Sequence, residues 1–450
     1  MGELVERLMR RDLDLWIPSS VANNRLGWLD LPSTTPEELK SVFEMTNSVD
    51  QHNIIYVGMG GSSLGAMTLA QQKSSQGPQN GRNLIFVDST HPNVIASLPT
   101  TDTAVVLASK SGTTTEVDTI FEFLWDRIGK PDRFVIVSDS NSPLQNKGKE
   151  RGIRRIVTTP KDVGGRYSVL TGFGTVAVSF LATSIDDVIA PFSGAQKADL
   201  ELAESNAKDL FQEFGHGKNK LSIDAPPTQD KVPMWLEQLV AESLGKSGTG
   251  FIPVPNDENP ESSDRSRVNL APNDLSELGA KIFEWEATTA MLGSLLGIDP
   301  FNEPDVAAAK AATKSILESN DYITSRPLDI STIDKKISEE VRDGDYVTVG
   351  AFIDPQRYLE GFAVKQELAA SLAPHAVTYG LGPRFLHSTG QLHKGGPDIV
   401  VMAQLIEDIE HEVVPIPGQD YTFGDLFKAQ ADGDLKTLHS RGRRALRFAI

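Results

Sequence analysis

The sequence predicts an α/β protein built on parallel sheets, and three observations carry that prediction. Short, wholly apolar runs recur with helix-length segments between them: IIYVG (54–58), NLIFVD (83–88), AVVLAS (104–109), FVIVSD (134–139) and RRIVTT (154–159). Strands that are apolar throughout belong in a parallel sheet covered by helices on both faces. The pattern returns later at YVTVGAFI (346–353), AVTYG (376–380) and DIVVMAQLI (398–406), which predicts a second sheet. Turns rich in glycine or hydroxyl residues follow directly on two strands of the first set, where open sheets present their ligand-binding loops.

The elements follow in order. Residues 1–50 read as an N-terminal helical segment punctuated by Pro32 and Pro36. Residues 51–195 form the first α/β domain, with TTEVDTIFEFLWDRIG (114–129) as one of its helices. Residues 196–420 form the second domain. It opens on an amphipathic connecting helix (196–215), and its early strand signals, KLSID (220–224) and GFIPVP (250–255), are weak. Helices are expected at 233–245, 274–296 and 355–372, and the polar stretch 256–275 reads as a loop. Residues 421–450 read as a C-terminal helical tail, helical over 421–447 and ending basic at Arg441, Arg443 and Arg444.

Composition narrows the function. The chain has 450 residues, 39% of them hydrophobic, and no cysteine, so disulfides and thiolate chemistry are excluded. A net charge of −18 argues against nucleic acid as a partner, since such proteins present basic faces to phosphate. No run of 18 apolar residues suggests a membrane span, and the charged, amphipathic N-terminus does not resemble a secretory signal. A cytoplasmic location is therefore expected.

Three turns carry chemistry. GMGGSSLG (58–65) places Gly58, Gly60, Gly61 and Gly65 around Ser62 and Ser63, between a strand and a helix. Glycines let a ligand approach the backbone, and free N–H groups at a helix start favour an anion. The spacing fits neither the dinucleotide fingerprint nor a Walker loop. SKSGTTTE (109–116) offers Ser109, Ser111, Thr113, Thr114 and Thr115, hydroxyls suited to a phosphate monoester or simply to helix capping. VGGRYSV (163–169) sets Arg166 behind Gly164 and Gly165, a fixed fork of donors able to offset charge that develops on a substrate oxygen.

Together these stretches resemble the glucose-6-phosphate isomerase family, whose members are built from two sugar-isomerase (SIS) domains, flavodoxin-like three-layer α/β/α units. WLEQLVAESLGKSG (235–248), LGIDPFNEPDVAAAK (296–310) and GPRFLHSTGQLHKGGPDIVV (382–401) extend the resemblance toward the isomerase half of bacterial transaldolase–isomerase fusion proteins. The resemblance implies reversible conversion of glucose 6-phosphate into fructose 6-phosphate, in glycolysis and gluconeogenesis, through a metal-free enediol route with no cofactor. It implies Glu242 as catalytic base, Lys310 and Arg166 as substrate-contacting cations, and Gln238 one helical turn before Glu242. The phosphate would be held by Gly61, Ser62, Ser109, Lys110, Ser111, Thr113 and Thr114, with Gly165 close by. It further implies a homodimer. A dual phosphoglucose/phosphomannose isomerase and a non-catalytic sugar-phosphate sensor stand as alternatives.

Two departures matter. Glu303 stands where the family usually has glutamine, placing a negative charge near a phosphosugar unless Lys310 pairs with it. The ring-opening histidine, often found between the glutamate and the lysine, is absent there. His393, followed by a Gly-Gly pair and a strand, is the favoured replacement, with His387 second. No acid near this His-x₅-His pair completes a metal triad, so no metal is expected.

Overall fold

The computed structural model describes residues 2–76, 80–408 and 414–450. Its first sheet contains β1 (Asn53–Gly58), β2 (Asn83–Val87), β3 (Thr103–Ala108), β4 (Phe134–Asp139) and β5 (Arg155–Thr159). They pair in the order β2-β1-β3-β4-β5, every neighbour parallel. Both faces are apolar, as the sequence implied. Ile55, Val57, Val105 and Leu107 face Val117, Ile120, Phe121 and Leu124 of helix Thr115–Ile128. Ile54, Tyr56, Val106 and Val137 face Phe173, Val176 and Phe180 of helix Gly172–Leu181. The result is the expected three-layer unit.

The remaining strands are β6 (Lys220–Asp224), β7 (Ile252–Pro255), β8 (Arg265–Asn269), β9 (Leu328–Asp329), β10 (Tyr346–Phe352), β11 (Ala376–Leu381), β12 (Val400–Ile406) and β13 (Arg444–Ala449). The second large sheet runs β11-β10-β12-β13-β9, again parallel. One of its faces packs Val347, Val349, Val401 and Leu405 on Ile337, Val364 and Leu368. The other sets Phe352 and Met402 against Phe427, Ala431 and Leu438 of helix Phe423–Ser440.

The structure corrects three expectations here. β6 and β7 do not join the second sheet; with β8 they form a separate three-stranded parallel sheet, β7-β6-β8. The stretch 256–275 is not all loop, because it contains β8. Its sequence RSRVN looks too polar for a strand, but the Arg265 side chain is buried and neutralised by Asp257 at 2.7 Å. The expected helix over 421–447 stops at Ser440, and β13 then enters the second sheet. In β13, Ala445 and Phe448 are buried, while Arg444 and Arg447 are held by Asp345 and Asp432.

The N-terminal segment is tied to the body. Trp16 Nε1 donates to the Ala290 carbonyl at 2.9 Å, and Leu26 bridges to Val163. Trp28, fully buried, lies 5.2 Å from the Tyr167 ring. Burial of an aromatic of this size stabilises the fold by about 1.5–3 kcal/mol, and it fixes the segment beside the turn that carries Arg166. No helix among the described residues is long and apolar enough to cross a membrane.

Candidate active site

β1 and β3 are neighbours, with Gly58 opposite Ala108, so the turns that follow them lie side by side at one end of the sheet. The first turn tightens through Ser62 N–H to the Met59 carbonyl (3.1 Å) and Ser63 N–H to the Gly60 carbonyl (2.9 Å), then opens into helix Leu64–Ser75. Two of its glycines are required by close approach. A Cβ on Gly60, whose φ is +52°, would lie 2.3 Å from the His387 carbonyl; one on Gly61 would lie 2.2 Å from the Gly165 carbonyl. The loop is therefore the surface on which two other turns dock.

The hydroxyl turn is partly spent on itself. Ser109 is buried; its Oγ pairs with Thr114 Oγ1 at 2.8 Å and accepts from Gly112 N–H. Ser111 and Thr113 hydroxyls pair at 3.0 Å. The Lys110 ammonium donates to both Asp139 oxygens (2.7 and 2.8 Å) and to the Pro160 carbonyl. Burial lowers the Lys110 pKa, against the pull of Asp139.

Opposite these turns stands helix Lys231–Leu244. Glu242 Oε1 lies 2.9 Å from Arg166 Nη1, and Gln238 donates to Glu242 Oε2 (3.1 Å) and to the His387 carbonyl (3.0 Å). Burial raises the Glu242 pKa and outweighs the opposing pull of Arg166; the Glu303 charge adds to the rise. Arg166 is buried and works against desolvation, but Glu242 and Glu303 keep it charged. Its Nη2 also donates to the Asn302 carbonyl at 2.7 Å. Glu303 pairs with Arg166 at 3.4 Å, not with Lys310 as the sequence reading allowed.

The cleft between these elements encloses about 280 Å³. Gly61, Ser62, Lys110, Ser111, Thr114, Gly165, Arg166, Gln238, Glu242, Lys310 and His387 all line it. Ser109 stands behind Thr114. Thr113 turns to a neighbouring cavity that shares Thr114, Lys310 and His387 with the cleft.

The favoured histidine is the one the structure removes. His393 is 3% exposed within the short helix Gly390–Gly395, and burial lowers its pKa to about 3. Its glycine-rich context reflects tight packing around that helix: Cβ atoms on Gly395 and Gly396 would clash with Asp305 and Leu392. His387 lies in the cleft instead, with Nε2 2.8 Å from Glu116 Oε1. Burial alone would raise the Glu116 pKa, but His387, a backbone N–H and Lys310 together outweigh it and the net shift is downward, so the carboxylate is ionised and Nε2 carries the hydrogen. Gln430 also donates to Glu116 Oε1, at 2.7 Å.

A profile of the phosphoglucose isomerase family matches residues 41–210. Residues 41–210 belong to the phosphoglucose isomerase family. The matched segment holds all three turns and Arg166, and it ends before Glu242. The glucose-6-phosphate isomerase of Clostridium tetani is 28% identical over 269 residues, 52% of this chain and 59% of that protein. The enzyme of Shouchella clausii is 31% identical over 262 residues, 52% and 58% respectively. The chain thus spans about three fifths of the length of the curated relatives it matches. A crystal structure of a glucose-6-phosphate isomerase from Chlamydia trachomatis shares the fold, with a TM-score of 0.54 and 17% identity over 70% of this chain and 78% of that one.

Four residues of the cleft and its surroundings escaped the sequence reading. Glu116 was visible as the acid closing SKSGTTTE, yet nothing in one sequence connects it to a histidine 271 positions later. Arg25 and Lys161 add cations at the cleft. Lys246, inside the quoted segment WLEQLVAESLGKSG, is buried against the Asn302 turn. Among the described residues, no cluster of three or more His, Asp or Glu is arranged to hold a metal.

Proposed function

We propose that this protein interconverts glucose 6-phosphate and fructose 6-phosphate. The observation that carries the reading is the Arg166–Glu242 pair, 2.9 Å apart, in one cleft with the Ser62, Ser111 and Thr114 hydroxyls. The hydroxyls and the N–H groups at the start of helix Thr115–Ile128 hold the phosphate, which fixes the reacting carbons by proximity. His387, its Nε2–H held by Glu116, takes the proton of the anomeric hydroxyl at Nδ1 and passes it to the ring oxygen, with Lys310 beside the opening ring. Glu242 takes a proton from C2 and delivers one to C1, its carboxyl group exchanging with solvent between the two steps. Arg166 offsets the charge on the enediol oxygens, whose remaining proton moves from one to the other. A buried carboxylate with a raised pKa suits a base that must take up and release a proton in each turnover.

The reading extends to a homodimer in the cytoplasm serving glycolysis and gluconeogenesis, supported by the family resemblance. Purified protein mixed with fructose 6-phosphate should form glucose 6-phosphate at a rate unchanged by a chelator. No turnover overturns the isomerase reading in favour of a sugar-phosphate sensor. Loss of turnover with chelator overturns the metal-free route. Turnover of mannose 6-phosphate would identify a dual isomerase.

A further inference from the structure

Lys246 follows the catalytic helix directly, two residues past its end at Leu244, and is only 2% exposed. Burying an ammonium is costly unless it is paired and hydrogen-bonded. Lys394, also buried, follows that rule: its Nζ sits 2.6 Å from Asp434. Lys246 does not. Its ammonium is given to the Asn302 backbone carbonyl and, at 3.0 Å, to Asn302 Oδ1. The same carbonyl accepts from Arg166 Nη2 at 2.7 Å. Arg166 Nε and Nη2 also donate to the Pro300 carbonyl, at 3.4 and 3.3 Å. Two buried cations thus converge on one short turn, which joins helix Leu275–Leu295 to helix Val306–Ser319, the helix that carries Lys310.

The turn has independent anchors. Asp299 accepts from the backbone N–H groups of Val21 and Phe301, both at 2.9 Å, which holds its start. Its far end is held at Asp305 by Gln391 and Arg441, and between the two ends Asn302 is held by Lys246 and by Arg166 itself. We propose that Lys246 is a positioning residue: by holding Asn302 it sets the carbonyls that aim the Arg166 fork at Glu242. This inference rests on the isomerase reading. The charges facing Lys246 are Arg166, Asp299, Glu242 and Glu303, and burial together with Arg166 brings its pKa down to about 7. The clamp is therefore fully charged only on the acid side of neutrality. Lys246 touches no substrate; its effect passes through Arg166.

The test is a double-mutant cycle read in kcat and KM for fructose 6-phosphate, with melting curves for every protein. Lys246→Met should lower kcat about 30-fold with KM within about threefold, because a misaimed Arg166 acts on the transition state more than on binding. In an Arg166→Ala background the same change should lower kcat by less than about threefold, since the group it positions is gone. Asn302→Ala, which keeps the backbone carbonyl and removes the carboxamide whose Oδ1 accepts from Lys246, should cost about three- to tenfold in kcat and show the same coupling. It carries the test if Lys246→Met fails to melt cooperatively. Losses that multiply in the double variants overturn the positioning role and leave Lys246 a structural residue. An inactive wild-type protein overturns the isomerase reading and this inference with it, a result distinct from multiplicative losses.

Discussion

Replacing Gly61 by alanine tests whether the glycine loop is a docking surface. The new Cβ would stand 2.2 Å from the Gly165 carbonyl oxygen, 2.3 Å from its carbon and 2.9 Å from Arg166 N, whereas ordinary contact begins at 3.4 Å. All three neighbours are backbone atoms, so no side chain can swing away. The two turns must part by about 1 Å, and overpacking of this kind costs about 1–3 kcal/mol. The turn that moves carries Arg166, and a displacement near 1 Å at a catalytic group costs about 10²-fold in rate. Gly61→Ala should therefore melt several degrees below wild type and lose about 10²-fold in kcat/KM for fructose 6-phosphate. Gly215→Ala, where a Cβ meets nothing within 4 Å, is the control and should change neither. Wild-type melting and turnover in Gly61→Ala would refute the reasoning.

Glu303→Gln removes a charge that raises the Glu242 pKa, so the acid limb of the kcat/KM profile, which rises as Glu242 deprotonates, should move to lower pH; a fixed or upward-moving limb contradicts the assignment. Arg25→Ala should raise KM several-fold with kcat within about twofold, and the difference should shrink with added salt; an unmoved KM removes Arg25 from substrate binding. His387→Ala should lower kcat about 10²-fold and also lower the melting temperature, because the buried Glu116 carboxylate loses its histidine partner. His393→Leu should leave kcat intact and improve acid stability. Buried neutral, His393 keeps a folded pKa near 3 against about 6.5 unfolded, so its contribution is whole above pH 6.5 and falls by about 1.4 kcal/mol per pH unit below it. Unfolding curves at pH 5 and pH 7 check the sign.

Much of this was legible in the sequence because the signals are local. A doubly apolar strand followed by a glycine or hydroxyl turn needs no tertiary information, and β1, β3 and their turns fall where the pattern puts them. The failures share one cause, partners that a local hydrophobic pattern does not reveal. β8 and β13 are strands whose arginines are neutralised by Asp257, Asp345 and Asp432, which turns a charged run into a buried one. The choice of His393 over His387 followed local context, a Gly-Gly pair before a strand, which serves helix packing here. Glu116 singles out His387, and only the fold brings the two together. Glu303 lines the cleft as a negative charge, and the cation it meets is Arg166, on a turn 137 residues earlier.

The central claim is that Glu242 moves a carbon-bound proton of a phosphosugar held by the glycine and hydroxyl turns. Incubating fructose 6-phosphate with the protein in D₂O and following C2 of the glucose 6-phosphate by NMR tests it most directly. Transfer through a carboxyl group open to exchange predicts deuterium at C2 with wild-type protein, and a rate lower by about 10³-fold with Glu242→Gln. Deuterium entering at the wild-type rate with Glu242→Gln, or product free of deuterium after many turnovers, would contradict the account.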